Sequence, residues 1–351
     1  MNSVYRNNEV SLTRGLQGDL RELTSSYPDD KIFLIYESNT WEHCHSYIQG
    51  FRKIPEDHIL ILNPGEEQKR IEQVIHVWDA FGSLGIDRHS LIINIGGGML
   101  TDLGGFAAST LKRGLAFINI PTTLLAMVDA SVGGKTGVNF RGLKNEVGVI
   151  RQPLHVLILL PFLRTLDPDN LLSGFAEMLK AGLIADGGLW DQLRGFDLSG
   201  YNEEQFGKLI WRSVEIKKAI VEADPEEQGI RKALNFGHTV GHALESEALR
   251  QEHPVPHGFA VAWGMITEAM LSHKQLGLPP ESVYMIRDTI QSLYGHPPAQ
   301  LTDPDRLLSW MKFDKKNTGD RINFTLLEKI GKCRVNCTVS EEEIREVMSD
   351  E

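Results

Sequence analysis

The segment "RKALNFGHTVGHALESE" (231–247) sets two imidazoles four residues apart, at His238 and His242. Histidines so spaced on a helix suit a divalent metal or a proton relay. The zinc-protease pattern needs Glu directly after the first His, and Thr239 stands there, so that chemistry is excluded. Arg231, Asn235, His238, His242 and Glu245 follow spacings of 4, 3, 4 and 3, which predicts one face of a continuous α-helix. A solvated face is ordinarily built from Lys and Glu. This one uses Asn and His and tolerates Gly237 and Gly241, at about 1 kcal/mol each, as if something approached the backbone closely. A polar seam between helices is the simpler alternative for the stripe alone. Glu177 lies amid Phe175, Ala176, Met178 and Leu179, where a carboxylate needs a cation or a metal. Lys180, three residues on, shares its helical face. Glu177, His238 and His257 supply one oxygen and two nitrogens, the donor set of a catalytic zinc with an open position.

Two glycine-rich stretches point to anions. "NIGGGMLTDLGGFAAS" follows a strand pattern and opens a helix, where backbone N–H groups can cradle a dinucleotide pyrophosphate. The glycines at 96–98 are consecutive rather than spaced as G-x-G-x-x-G, so a tight turn is the alternative. Glu37, just after "KIFLIY", stands where an acidic group binds an adenosine ribose. "DASVGGKTGVN" nearly reads as a Walker A loop, but Asp129 occupies its first glycine position, which argues against a P-loop ATPase. Gly133, Gly134 and Lys135 still suit an oxyanion. Arg113, Lys135, Lys144, Lys180, Lys217, Arg231 and Lys315 or Lys316 sit in otherwise uncharged or Gly-rich contexts. Singly each is a surface charge; together they suit a substrate bearing phosphate and carboxylate.

The elements that must position these groups fall in two blocks. "KIFLIY", "HILIL", "SLIINI", "LAFINIP" and "HVLILL" are short apolar runs, and an amphipathic helix pattern separates the second and third. They predict a parallel, Rossmann-like α/β domain over 1–166. Beyond it, "DNLLSGFAEMLKAGLIAD", "EEQFGKLIWRSVEIKKAIVEAD", the 231–249 segment and "HGFAVAWGMITEAMLSHKQLG" predict an all-α domain over 167–351, with the site in a cleft between the two. Hydrophobic residues make up 41% of the chain and charged ones 24%, with a net charge of −11, which disfavours nucleic acid and anionic membranes. There is no apolar run of the roughly 20 residues a membrane helix needs. The N-terminus lacks the apolar core of a signal peptide, and three cysteines (Cys44, Cys333, Cys337) build no disulfide framework. A cytoplasmic globular protein is expected.

Taken together, "GGGMLTDLGGFAAS", "IPTTLLAMVDASVGGKTGVNF", "GLKNEVG", "GFAEMLKAGLI", "ADPEEQGIRKALNFGHTVGHALE", "HGFAVAWGM" and "MKFDKKNTG" resemble the 3-dehydroquinate synthase family of sugar-phosphate cyclases. The resemblance spans roughly residues 30 to 331. It implies an NAD-dependent, Zn2+- or Co2+-dependent lyase of the shikimate pathway, usually a homodimer. The lyase would convert 3-deoxy-D-arabino-heptulosonate 7-phosphate (DAHP) to 3-dehydroquinate and phosphate. Oxidation at C5, β-elimination, reduction and an intramolecular aldol would follow in turn.

Residue by residue, the resemblance makes Glu177, His238 and His257 the metal ligands and gives His242 proton transfer at the C5 oxygen. Asp129, Lys135, Asn145, Lys180, Lys217, Arg231, Asn235 and Lys316 would meet substrate groups. Arg113 would reach the substrate phosphate from the partner subunit, and Lys144 and Glu227 would be further active-site residues. Glu37, Glu66, Lys69, Gly97, Gly98, Asp102, Thr122 and Thr123 would contact the dinucleotide, with Asp129 and Lys144 shared between cofactor and substrate. Glu37 departs from a commoner Asp, and "KNEVGVIRQP" is a variant segment. A polyol dehydrogenase of the same superfamily would not need so many cations. Sister cyclases acting on sedoheptulose 7-phosphate or glucose 6-phosphate lack a substrate carboxylate and would alter the pattern around 129–145 and 231–235. A binding protein would not need the proton-transfer set.

Overall fold

The computed structural model describes residues 3–6, 10–141, 143–312 and 322–349, with side chains from residue 10 onward. Contacts divide the chain into two compact units, Met1–Asp167 and Pro168–Glu351.

In the first unit the strands are β1 (Ser3–Arg6), β2 (Val10–Thr13), β3 (Ile32–Glu37), β4 (Ile59–Leu62), β5 (Leu91–Gly96), β6 (Ala116–Pro121), β7 (Lys135–Phe140), β8 (Leu143–Ile150) and β9 (His155–Ile158). Seven of them form one sheet in the order β1-β2-β9-β6-β5-β3-β4, parallel except where β1 pairs with β2. The five apolar runs became β3, β4, β5, β6 and β9. Strands buried on both faces read as near-continuous hydrophobic runs, and β3 and β5 are buried at every position. Helices α1 (Leu16–Leu23), α2 (Ser38–Cys44), α3 (Ile71–Ser83) and α4 (Gly98–Thr110) complete the unit. Val74, Val77 and Phe81 of α3 and Leu100 and Leu103 of α4 pack with Phe33, Ile92 and Phe117 from the sheet. Each such side chain contributes about 1.5–3 kcal/mol of burial. β7 and β8 form a separate antiparallel ribbon.

The second unit holds α5 (Pro168–Ala185), α6 (Gly187–Leu193), α7 (Glu203–Ala223), α8 (His238–Arg250), α9 (His257–Leu276), α10 (Pro280–Tyr294), α11 (Pro304–Lys312) and α12 (Glu341–Ser349). It also carries a hairpin, β10 (Ile322–Lys329) with β11 (Lys332–Val339), that a reading by helices alone passed over. Among the described residues no helix is long and apolar enough to cross a membrane.

The continuous helix expected over 231–249 is not there. Ile230–Asn235 is a 3-10 turn, Gly237 takes the left-handed conformation (φ 79°), and α8 begins at His238. Arg231 and Asn235 therefore do not share a helical face with His238, His242 and Glu245. Two features of α9 impose the break. A Cβ on Gly264 would lie 2.2 Å from the Gly237 carbonyl oxygen, so α9 meets the start of α8 backbone to backbone. The fully buried Glu268 then accepts hydrogen bonds from the N–H groups of Gly237 (2.6 Å), Thr239 (3.1 Å) and Val240 (3.3 Å). Helix N-termini leave such donors unsatisfied and favour a negative charge. Gly264→Ala is expected to cost about 1–3 kcal/mol by overpacking, read as a lower denaturant midpoint.

At the far end of α8, buried Glu247 gathers Arg250 (2.6 and 2.8 Å), Arg306 (3.1 Å), Gln251 (2.8 Å) and the Trp310 indole (3.1 Å). The Arg250 hydrogen bonds, with help from the others, hold its carboxyl well below the ordinary range against the opposing effect of desolvation. A depressed folded pKa gives stability that is complete above the unfolded value, about 4.3, and fades as pH falls below it. Thermal melts should therefore show stability falling below about pH 4, and Glu247→Gln should flatten that slope while costing about 1–3 kcal/mol at neutral pH.

Candidate active site

Three helices of the second unit converge on one locus. Glu177 comes from the middle of α5, His238 opens α8 and His257 opens α9, and one ligand atom from each lies within 4.8 Å of the others. Glu177 Oε1 is 3.5 Å from His238 Nε2 and 3.7 Å from His257 Nε2. Both carboxylate oxygens of Glu177 are buried without a hydrogen bond of acceptable geometry, although the Lys180 ammonium pairs with Oε2. A buried carboxylate aimed at two imidazoles in this way fits a divalent ion. Each histidine turns its other nitrogen outward. His238 Nδ1 lies 3.2 Å from the Phe236 carbonyl and His257 Nδ1 lies 3.1 Å from Glu245 Oε2.

The charges at this locus pull in opposite directions. Burial raises the Glu177 carboxyl, but Lys180 and His257 outweigh it and hold its pKa down to about 2. Burial and the cations around it push His238 well below the usual histidine value. Burial disfavours the charged form of His257 too, yet Glu245 and Glu177 prevail and lift it to about 10.

His242 is exposed one turn along α8, with its ring centroid 5.2 Å from that of His238 and 6.1 Å from that of His257. Buried Lys180 sits on α5 and buried Lys217 on α7. Arg231 is buried on the 3-10 turn, where its guanidinium donates to the Pro225 carbonyl (2.6 Å) and its backbone N–H to Asp224 (3.0 Å). Asn235 donates to Glu227 (2.9 Å), whose backbone is left-handed at φ 60°. Lys316 falls outside the described residues.

The first unit gathers a second set. Lys69, buried, pairs with Asp102 at 2.6 Å and with Asn145 Oδ1. Asn139 ties the set together by accepting from the Asn145 N–H (2.9 Å) and donating to Glu66 (2.9 Å). The substrate candidate Asn145 thus shares one lysine with the cofactor candidates. Gly97 precedes α4 as its N-cap, Gly98 opens the helix, and Glu37 accepts from the Gly97 N–H (3.3 Å). Thr122 donates its N–H to Gly96 O (2.9 Å), and the Thr123 hydroxyl accepts from the Ala126 N–H (3.2 Å). Asp129 lies in a π-helical turn, Ala126–Ala130, a rare form that is frequent at functional sites. Lys135 begins β7 after left-handed Gly133 and Gly134, while Lys144 is exposed on β8. Arg113 is exposed, and both it and Lys112 are left-handed.

Sequence reasoning missed Asn139 and Glu268 and gave Glu245 no partner. Glu268 stands in "MITEAML" as Glu177 stands in "GFAEMLK", a lone acid amid apolar neighbours, so the same signal could have found it.

Family models for the N-terminal and C-terminal parts of 3-dehydroquinate synthase match residues 59–173 and 174–317. A 3-dehydroquinate synthase of Parabacteroides distasonis is 46% identical over 341 residues, covering 96% of each chain. The chain belongs to the 3-dehydroquinate synthase family. Among solved structures, ValA, a 2-epi-5-epi-valiolone synthase from Streptomyces hygroscopicus with NAD+ and Zn2+ bound, superposes with a TM-score of 0.85 at 26% identity, covering 99% of this chain and 97% of ValA. A 2-deoxy-scyllo-inosose synthase complexed with carbaglucose-6-phosphate, NAD+ and Co2+ gives 0.80 at 25% identity, with 94% of each chain covered. For a 3-dehydroquinate synthase family member with this triad, His238→Ala should weaken metal binding by more than the roughly 10–100-fold typical of changes outside the ligand set. Competition against a chromophoric chelator measures it.

Proposed function

We infer that the protein is a 3-dehydroquinate synthase, converting DAHP to 3-dehydroquinate and phosphate with NAD and a Zn2+ or Co2+ ion. One observation carries this reading: Glu177, His238 and His257 converge within 4.8 Å in a chain 46% identical over its length to a protein of that name. The sister cyclases match at 26% and 25%, which favours DAHP over sedoheptulose 7-phosphate.

When bound, the metal ion would supply Lewis acidity toward substrate hydroxyls, and NAD would supply a reversible hydride acceptor. The residues of the chain do the positioning and the proton work. Glu177, His238 and His257 would hold the ion, with an open position for substrate. His242, about 5.4 Å along the helix from His238, moves the proton at the C5 oxygen. Lys180, Lys217, Arg231 and Asn235 fix carboxylate and hydroxyl groups of the substrate, and the family resemblance assigns Lys135 and Asp129 to it as well. Glu227 orients Asn235 through their hydrogen bond. Lys69, Asp102 and Glu66, with the glycine turn at Gly97 and Gly98 that opens α4, hold the dinucleotide. The family resemblance gives Arg113, exposed on a left-handed turn, to the substrate phosphate of a second copy and with it a homodimeric enzyme. The same reading makes it cytoplasmic.

The test supplies the protein with Zn2+ and NAD+ and then with DAHP or sedoheptulose 7-phosphate in parallel, following phosphate release and ring formation. Turnover of DAHP, abolished by a chelator, is expected; turnover of sedoheptulose 7-phosphate alone would sink the reading. His242→Ala should retain its metal and lose about 10²–10⁴ in kcat.

A further inference from the structure

We propose that Glu245 is a positioning residue for the metal centre: its carboxylate fixes the tautomer and ring orientation of His257 and so sets how tightly the ion is held. The proposal rests on the metal site of the functional reading and goes beyond its ligand set.

The two nitrogens of His257 face different carboxylates. His257 Nδ1 lies 3.1 Å from Glu245 Oε2, and His257 Nε2 lies 3.7 Å from Glu177 Oε1. A histidine that ligates a metal ion gives up its second proton on binding, and the neutral imidazole then carries one N–H and one lone pair. A carboxylate at Nδ1 can only accept, so it fixes the N–H there and leaves the Nε2 lone pair facing Glu177 and His238. Glu245 is itself buried on α8, two turns beyond His238, while His257 is half-buried. His257 is the first residue of α9, preceded by Pro256, so no helical turn before it restrains its ring. The contact with Glu245 therefore ties the orientation of one ligand to the helix that carries another. His238 does not share this arrangement, because its Nδ1 faces the neutral carbonyl of Phe236. The two imidazoles thus differ in basicity by construction, His257 being the stronger donor.

A rival role for Glu245 is direct ligation. His242, Glu245 and His257 also bring ligand atoms within 4.8 Å of one another. That cluster would use His257 Nδ1, while the Glu177 cluster uses Nε2. One neutral ring offers a single lone pair, so both cannot be filled together.

The experiment compares full-length wild type, Glu245→Gln and Glu245→Ala, all stripped of metal. Co2+ is titrated by its visible absorption and Zn2+ by chelator competition, with no substrate present. Glu245→Ala should keep one ion per chain, weaken Kd by about 10–100-fold and alter the Co2+ band. Glu245→Gln, which retains an acceptor oxygen without the charge, should fall between it and wild type. An unchanged Kd and spectrum in Glu245→Ala overturns the proposal, as does a second Co2+ equivalent in wild type that this variant loses. If Glu245→Ala does not fold, Glu245→Gln decides: a weakened Kd supports the proposal and an unchanged one overturns it. Wild type that holds the ion but leaves DAHP untouched overturns the functional reading and leaves this one standing.

Discussion

The second unit depends on a contact with no side chains in it. Where α9 crosses the start of α8, Gly264 lies against the Gly237 carbonyl, and the first methyl carbon of any larger residue would occupy that oxygen's space. Close approach brings Glu268 within reach of three N–H groups at the start of α8. The capped end is the end that carries His238, and His257 opens the helix that supplies the cap. Backbone geometry therefore fixes where His238 starts its helix, while the ring of His257 takes its orientation from Glu245. Preorganisation of that kind is what an electrostatic catalyst requires.

Much of this was legible in the residues. Apolar runs such as "SLIINI" announced buried parallel strands because a strand covered on both faces has no polar side. Glu177 announced itself by its apolar neighbours, and the order of motifs carried the family resemblance. The break at Gly237 was not legible. Glycine within a helix and glycine at a left-handed cap have the same letter, and the choice between them was made by α9, distant in sequence. Asp129 gave no sign of its π-helical turn, since that form depends on one extra residue being accommodated locally. The β10–β11 hairpin alternates polar and apolar residues around Ile330 and Gly331, a period of two that a search for helices does not register.

The net charge of −11 conceals local reversals. Lys69, Lys180, Lys217 and Arg231 are buried, which such residues rarely are without partners. Lys69 has Asp102 and Lys180 has Glu177. Both lysines are paired with acids that the functional reading assigns to cofactor or metal. An entering dinucleotide or ion meets charges that already have counter-charges, so binding exchanges partners instead of burying a bare ion.

The triad also has a consequence for the folding equilibrium. Glu177, His238 and His257 belong to three helices far apart in the chain, and an unfolded chain does not hold them together. An ion bound by all three binds only the folded second unit, and mass action then adds RT ln(1 + [L]/Kd) to its stability, about 2.7 kcal/mol at a hundredfold excess over Kd. Metal supply and the lifetime of the protein are linked through that term. Scarcity of the ion would lower the standing amount of enzyme as well as the activity of each copy.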